Sequence, residues 1–473
     1  MSRLLLTAMF ASTTLLAGCN LAPNYARPTG AVPAALPQGG VYPAASTDAP
    51  DVSRIGWRAF FTDARLQAVI AAGLDNNRDL RIAAGNVLQA RARYRVQRAD
   101  QLPTIAANGS ATFTNSATGA AGSADVEIYS ANVGVSNFEL DLFGRVRNLS
   151  RAALEQYFAS EQAQRAARIS LIAEIATAWL QLAADRDQLA LSRSTLAAFE
   201  QTRTLTQAQF RIGVASELAA RQADTNYQGA LNDIAALETR IAQDRNALDL
   251  LVGAPVGDDR LPDGLKEGGA TLSSLPAGLS SDILLRRPDV LQAEHQLIAE
   301  NANIGAARAA RFPTISLTAA LGTISTALSG LFGGGGWTYS AGPAATLPLF
   351  DGGRARSNVR LAEANRQVAL ASYERTIQVA FREVADALAQ RGTIDRQIAA
   401  QAQRAQSAQV AARLSDARYR VGVDSFLTAL DAQRTAYAAQ QQLVTTRLAR
   451  GANLVELYRA LGGGLAETDL PSR

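Results

Sequence analysis

The strongest constraint on the fold of this 473-residue chain is an internal repeat. Segment 210–216 (FRIGVAS) matches segment 419–425 (YRVGVDS), which lies 209 residues further along the chain. Segment 99–105 (ADQLPTI) matches segment 309–315 (AARFPTI) at an offset of 210 residues. Matches around Arg145 and Leu251 keep the same order and nearly the same offset. The chain is therefore two related halves of about 200 residues each.

Each half has the same predicted order of elements. A helix is followed by a region of alternating small and hydroxyl-bearing residues, a very long helix, a turn containing glycine, and a returning helix. The predicted domains are a first repeat (61–260), an equatorial segment (253–282), a second repeat (281–464) and a C-terminal tail (465–473). The predicted elements are helices 63–100, 145–211 and 216–251 with hairpin 104–143, then helices 281–311, 354–420 and 425–461 with hairpin 314–350.

The two longest predicted helices have 67 residues each and contain no proline. At ~1.5 Å per residue such a helix is about 100 Å long, which is more than a compact domain needs. Apolar residues at Ile172, Ile175, Trp179 and Leu182 follow the three-and-four spacing of coiled coils. On these helices alone, a plain antiparallel coiled-coil protein remains an alternative.

The two predicted β-hairpin regions argue against a plain coiled-coil protein. Each strand has about ten or more residues, enough to cross a membrane when tilted. Four strands cannot close a barrel, because the smallest single-chain barrels have about eight, and open strand edges are costly in lipid. Two copies would give a barrel filled by its own side chains, whereas three give a wider, water-filled one. We therefore predict an α+β membrane protein, a trimer with a 12-stranded barrel and a long helical barrel. No mature segment has 18 continuous apolar residues, so we expect no transmembrane helix.

The N-terminus has the pattern of a secretory signal. Arg3 precedes the apolar stretch 4–16, which ends in Leu-Ala-Gly before Cys19, the only cysteine. This pattern predicts a signal peptide over 1–18 and a covalent lipid on Cys19, followed by a tether over 19–60. A plain signal peptide with an incidental cysteine is the alternative. Asn20 at the second mature position favours sorting to the outer membrane.

Composition argues against several functional classes. The formal charge of +4 results from 46 basic and 42 acidic residues, so the surface is mixed rather than a basic nucleic-acid stripe. His295 is the only histidine, which leaves no histidine-based catalytic triad or multi-histidine metal site. The glycine run 333–336 lacks the Gly-Lys-Ser of a phosphate loop. We expect neither an enzyme nor a cofactor.

Several ordered motifs together resemble a known family. The sequence is similar to the outer-membrane factors of tripartite drug efflux pumps, the OprM-type lipoproteins of the TolC superfamily, over nearly the whole chain from Cys19 to Gly464. The resemblance implies a homotrimer in the outer membrane that extends into the periplasm. It also implies docking to a periplasmic adaptor and to an inner-membrane transporter of the resistance–nodulation–division class. The motifs are 56–61 (GWRAFF), 76–80 (NNRDL), 139–145 (ELDLFGR), 285–290 (LRRPDV), 294–297 (EHQL), 303–308 (NIGAAR) and 430–434 (LDAQR).

The resemblance also assigns roles near the two glycine turns. In this family the tips of the helical hairpins meet the adaptor, and an acidic residue lies in the periplasmic gate. Asp416, which the first repeat lacks, is the predicted gate acid, with Leu414 as an apolar constriction and Arg418 and Arg420 as locking partners between helices. The alternative for both sets is ordinary capping and a solvated helix face. The predicted adaptor-contacting tip residues are Arg211, Gly213, Val214, Ser216, Gly422, Val423 and Ser425.

Two rival functions remain open. The same fold serves type I protein secretion in TolC-type ducts, although lipid anchoring and the OprM-like motifs favour small-molecule efflux. A periplasmic coiled-coil adaptor is the second rival. Adaptors carry a single helical hairpin, whereas this sequence predicts two hairpins and two membrane-length strand pairs.

Overall fold

A computed structural model describes residues 20–43, 55–117, 123–265, 269–271, 280–334 and 336–463. The predicted signal peptide, Cys19 and the tail from 465 to 473 lie outside the described residues. The helices are α1 (Trp57–Phe60), α2 (Ala64–Asn76), α3 (Arg78–Ala99), α4 (Arg145–Arg211), α5 (Glu217–Val252), α6 (Pro288–Ala309), α7 (Arg354–Arg420) and α8 (Phe426–Ala460); the strands are β1 (Ile105–Ala117), β2 (Ser123–Glu139), β3 (Thr314–Ser325) and β4 (Trp337–Thr346).

Both helices predicted ahead of the hairpins are interrupted near their start. The first breaks at Asn77, whose backbone is extended and whose side chain accepts a hydrogen bond from the Leu80 amide at 2.9 Å, so it caps α3. The second begins as a 3₁₀ turn (Ser281–Arg286) and becomes an α-helix only at Pro288. Proline keeps the preceding Arg287 extended and is well suited to the first helical position.

The four strands form one antiparallel sheet in the order β1-β2-β3-β4. The register of β1 with β2 runs unbroken from Ile105 opposite Val135 to Ala117 opposite Ser123. The register of β2 with β3 shifts between Val135 and Phe138, where Asn137 has a left-handed φ of 54°. Among the described strands, β1 and β4 have one unpaired edge each. The mixed fold with a four-stranded sheet per chain is as predicted.

Pro343 does not interrupt the fourth strand. It lies within β4 opposite Leu317, and pairing continues to Thr346. Because β4 is an edge strand of this sheet, a residue without an N–H can be accommodated there. Neither β4 nor its pairing extends to Pro348.

The chain separates into two compact units, and each unit takes segments from both repeats. The first unit includes Gly85–Glu161 and Gln292–Glu374 and therefore contains the sheet. Its helices pack through small residues such as Ala152, Ala299 and Ala302, all under 5% exposed. The second unit includes Gln162–Leu291 and Arg375–Arg473.

The second unit has an aromatic core. Phe60 stacks on Tyr458 with 4.2 Å between ring centroids and meets Phe61 edge-on at 4.9 Å. Trp179 of α4 is 2% exposed and donates its indole N–H to the Arg260 carbonyl at 3.1 Å. These large side chains supply the apolar burial that the alanine-rich remainder of the long helices lacks.

Residues 20–29 of the tether belong to the first unit and are fixed to it by side-chain contacts. Arg27 forms a bidentate pair with Glu294, both N–O distances being 2.7 Å, and the Tyr25 hydroxyl donates to the same carboxylate at 3.0 Å. The Glu294 side chain is 8% exposed, and burial together with this carboxylate raises the pKa of Tyr25. Asn301 holds the Pro23 carbonyl at 2.6 Å. This part of the tether is therefore held against the folded unit.

Within the described residues, one helix, α4, is long and apolar enough to cross a membrane by length and composition. Half of its most apolar window is buried inside the chain. Burial of that kind is typical of a core helix in a folded domain, so it is weak support for a membrane span.

Candidate functional site

The two helical hairpins end in turns of the same geometry. Gly213 and Gly422 both have φ of +78°, a conformation that glycine adopts without strain. The Val214 amide donates to the Gln209 carbonyl and the Val423 amide to the Arg418 carbonyl, both at 2.9 Å. These bonds satisfy carbonyls at the end of each long helix and reverse the chain.

Serine caps both returning helices. The Ser216 and Ser425 side chains accept hydrogen bonds from the Ala219 and Thr428 amides, each at 3.2 Å. Their capping role agrees with the structural alternative and leaves open whether they also contact a partner.

The turns expose apolar side chains in place of the polar residues usual in helix–helix turns. Ile212 and Val214 are 76% and 74% exposed, and Val421 and Val423 are 74% and 61% exposed. Clustered exposed aliphatic residues mark surfaces that bind another protein. The structure thus brings the predicted tip residues into two turns, each with an apolar end.

The charged residues before the second turn pair within their own hairpin. Arg420 contacts Asp416 one turn earlier on α7 at 2.8 Å, and Arg418 contacts Asp424 in the turn at 2.8 Å. The hydrogen bond from Arg418 lowers the pKa of Asp424, which the sequence analysis did not single out. A role of these arginines in locking neighbouring helices of an assembled trimer stays a prediction. Leu414, the predicted constriction, is 55% exposed.

Tyr419 joins the two hairpins near the turns. Its hydroxyl contacts the Gln209 side-chain oxygen at 2.6 Å, and its ring meets Phe426 edge-on at 5.6 Å. Sequence reasoning missed this contact. The repeat marks Tyr419 as different, because its match Phe210 has no hydroxyl, but it does not indicate the partner of that hydroxyl.

Further hydrogen bonds attach α8 to the first hairpin. The Tyr437 hydroxyl lies 2.8 Å from the Ser192 hydroxyl on α4 and donates to Asp233 on α5 at 3.0 Å. Gln188 of α4 donates to the Gln441 carbonyl at 3.0 Å. If the second helical hairpin (α7 and α8) moved away from the first (α4 and α5), these bonds and the Tyr419–Gln209 bond would all break.

Removing the Tyr419 hydroxyl tests whether its hydrogen bond to Gln209 holds the two helical hairpins together. Tyr419→Phe keeps the ring and deletes the bond to Gln209. Because the sequence predicts a channel, we expect the variant protein to open more often and carry more current in planar bilayers. Tyr227→Phe is the matched control, because it deletes a tyrosine hydroxyl on α5 that makes no hydrogen bond within the described part of the chain. Its ring stays 4.6 Å from the guanidinium carbon of Arg203. Equal currents in both variants would show that the bond does not hold the hairpins.

A pair of carboxyl groups lies between α4 and α5. Asp185 is 4% exposed and accepts a hydrogen bond from Gln181 at 3.1 Å. Burial, with a hydrogen bond and repulsion from Asp185, raises the pKa of Asp244 to about 6, and Arg240 opposes the shift only partly. Folded Asp244 therefore keeps its proton up to a higher pH than Asp244 in the unfolded chain does.

This pair gives the protein a pH-dependent stability. The folded pKa of Asp244 lies above its unfolded value of 3.8, so its contribution is largest below about pH 4 and declines as pH rises towards about 6. Asp244→Asn should remove this decline and raise the thermal midpoint at pH 7.5 relative to the unmodified protein. Thermal unfolding at pH 5 and 7.5 measures the difference, with the exposed Asp258→Asn as control. An unchanged midpoint at pH 7.5 would contradict the shared proton.

Comparisons with known proteins agree with this architecture. A family model described as outer membrane efflux protein matches residues 69–254 and 279–463, one match in each repeat. The chain is 44% identical over 468 residues to the toluene efflux pump outer membrane protein TtgC of Pseudomonas putida, covering 98% of this chain and 96% of that protein. It is 40% identical over 459 residues to the cation efflux system protein CusC of Escherichia coli O157:H7, covering 96% and 98%. The open state of the Neisseria gonorrhoeae MtrE outer membrane channel superposes with a TM-score of 0.84 at 37% identity, covering 96% of this chain and 100% of that one.

Proposed function

Because this chain belongs to the outer membrane efflux protein family, we propose that three copies of it form the exit channel of a tripartite efflux pump, docked through the helical turns to a periplasmic adaptor and an inner-membrane transporter. The chain is an outer-membrane channel component of an efflux system. Its family consists of transport channels, so the role of the protein is conduction.

The observation that carries the proposal is the open sheet. Strands β1 and β4 each leave an edge unpaired among the described residues, and all ten residues of β4 are exposed. Unpaired backbone groups cost several kcal/mol each in lipid. Pairing β4 of one copy with β1 of the next removes every edge, and three copies give the twelve strands that leave room for a pore.

The cargo is a small molecule, by analogy with the relatives. One relative is named for toluene, an uncharged hydrocarbon, and another for cations. We propose that the inner-membrane transporter selects the cargo. The lipid on Cys19 anchors the mature chain to the outer membrane.

A deletion strain tests the proposed function. Loss of the gene should lower the minimal inhibitory concentrations of several unrelated toxic compounds and raise accumulation of a fluorescent efflux substrate. The intact gene should restore both. A strain that keeps its resistance but loses secretion of a protein would instead support the type I secretion alternative.

The gate is proposed to lie at the second turn. In a trimer three Asp416 carboxylates would surround the narrow end, and such a ring attracts cations and repels anions. Asp416→Ala should therefore raise single-channel conductance and weaken cation preference. The control is Asp431→Ala, which removes an exposed carboxylate on α8 and should change neither property. Unchanged conductance and ion preference in Asp416→Ala would remove this residue from the gate.

A further inference from the structure

The register of the sheet separates its side chains into two faces. Residues directly opposite each other in neighbouring strands lie on the same face. Val133 lies opposite Leu321, and Leu321 lies opposite Tyr339. Asn132 lies opposite Asn108 and opposite Gly322, which lies opposite Thr338. Each strand thus contributes alternate residues to each face.

The two faces differ in chemistry. The first, which we call the apolar face, carries large apolar and aromatic side chains. The second, which we call the hydroxyl face, carries hydroxyl and amide groups between alanines and glycines, with Val126, Ile128 and Ile324 as apolar exceptions towards the hairpin loops. The apolar face includes Phe113, Tyr129, Val133, Leu321, Trp337 and Tyr339, and the hydroxyl face includes Asn108, Ser110, Ser130, Asn132, Thr318 and Ser340.

Polar groups of the hydroxyl face bond one another across strands. The Ser110 and Ser130 hydroxyls are 2.8 Å apart, and the Asn108 amide donates to the Asn132 side-chain oxygen at 3.4 Å. The Thr318 hydroxyl accepts the backbone N–H of Asn137 at 3.1 Å. A face of this kind is stable against water, whereas lipid favours the aromatic one.

Charge is almost excluded from the hydroxyl face. Between Arg311 and Asp351 the sequence has no acidic or basic residue. In the first hairpin, Asp125 and Glu127 lie opposite Asn115 and Phe113 and so belong to the apolar face near the strand ends. Glu139, opposite Ser316 on the hydroxyl face, is paired with Arg145 at 2.8 Å.

We propose that the hydroxyl face lines the strand section of the pore as a neutral, hydrogen-bonding wall, so that this section passes uncharged, cationic and anionic small molecules without sorting them by charge. The inference rests on the proposed channel function. Rings of charged side chains make a pore select by charge. Among the described residues of this wall, the charged one is Glu139, which is paired with Arg145. Charge selection is then confined to the helical section.

Paired cysteine substitutions test which face meets water. Asn132→Cys and Val133→Cys are neighbours on opposite faces, and the only native cysteine is the proposed lipid-bearing Cys19. Trimers in liposomes are treated with a membrane-impermeant, negatively charged methanethiosulfonate, and the mass gain per chain is measured. We expect labelling at 132 and none at 133. Thr338→Cys and Tyr339→Cys repeat the comparison on β4 if a β2 variant fails to assemble. Equal labelling, or labelling of 133 or 339 alone, would overturn the proposal.

Ion selectivity tests the neutral wall separately. In planar bilayers with a KCl gradient, the Asn132→Cys channel is modified with a negative, a neutral or a positive reagent of similar size. The negative reagent should shift the reversal potential towards that of K⁺, the positive one towards that of Cl⁻, and the neutral one should leave it unchanged. Identical reversal potentials with all three would overturn the proposal. If the unmodified protein forms no channels although position 132 is labelled, the proposed function fails while the assignment of faces stands.

Discussion

Arg287→Ala is expected to lower the free energy of unfolding by about 3–5 kcal/mol, the usual cost of removing one partner from a buried ion pair. The Arg287 side chain is 5% exposed. It contacts Asp289 at 2.7 Å, Glu383 of α7 at 2.9 Å and the Ala460 carbonyl at the end of α8 at 2.6 Å. Its loss would leave the Ala460 carbonyl without this donor. Among the described residues, Glu383 would keep Arg459, 3.1 Å away, as its ion-pair partner.

The adjacent arginine provides the control for this change. Arg286 is exposed, so Arg286→Ala should alter the unfolding free energy by no more than about 0.5 kcal/mol. Chemical unfolding of purified protein in detergent, followed by the helical circular dichroism signal, measures both variants. Similar midpoints for the two variants would mean that Arg287 does not connect α6, α7 and α8 energetically.

Gly134→Ala is expected to prevent formation of heat-resistant trimers. A Cβ at Gly134 of β2 would lie 2.7 Å from the Ala320 Cα on β3 and would also run into the Ala319 carbonyl oxygen. The atoms in the way belong to the main chain, so no side-chain rotation relieves the overlap, and overpacking alone costs about 1–3 kcal/mol. In a trimer the cost occurs three times in one barrel.

Gly109→Ala makes the same chemical change where there is space. Its Cβ would meet only the Ser130 carbonyl oxygen, at 3.9 Å, which is an ordinary contact. Semi-native electrophoresis of heated membrane extracts compares the two variants. Trimers of normal heat resistance in Gly134→Ala would show that β2 and β3 do not approach each other as closely as described.

Long patterns were predictable from sequence, whereas contacts between distant side chains were not. The helix predicted over 145–211 has the same ends in the structure, because glycine marks both boundaries and no proline intervenes. The break at Asn77 was missed, since asparagine within an apolar pattern gives no clear stop signal. The bulge near Asn137 was missed because it depends on how β2 meets β3, not on its own alternation.

The candidate site divides in the same way. Gly213, Gly422 and the serine caps could be located from the repeat, because turn chemistry is local. The partners of Arg418 and Tyr419 could not, because a helix pattern does not specify which residue of a neighbouring helix or turn a long side chain will reach. The carboxyl pair Asp185 and Asp244 was missed for this reason as well.

The unpaired edges of β1 and β4 have a consequence for how the protein is made. The sheet of a single copy has too few strands to close into a barrel. Its unpaired edges can pair with strands of other proteins, which favours aggregation. In a homotrimer the barrel exists only once the third copy has joined, so partly assembled copies should not persist in the bilayer. Biogenesis should then depend steeply on the local concentration of newly exported chains. Cells that make slightly less of the protein would lose disproportionately more of their channels.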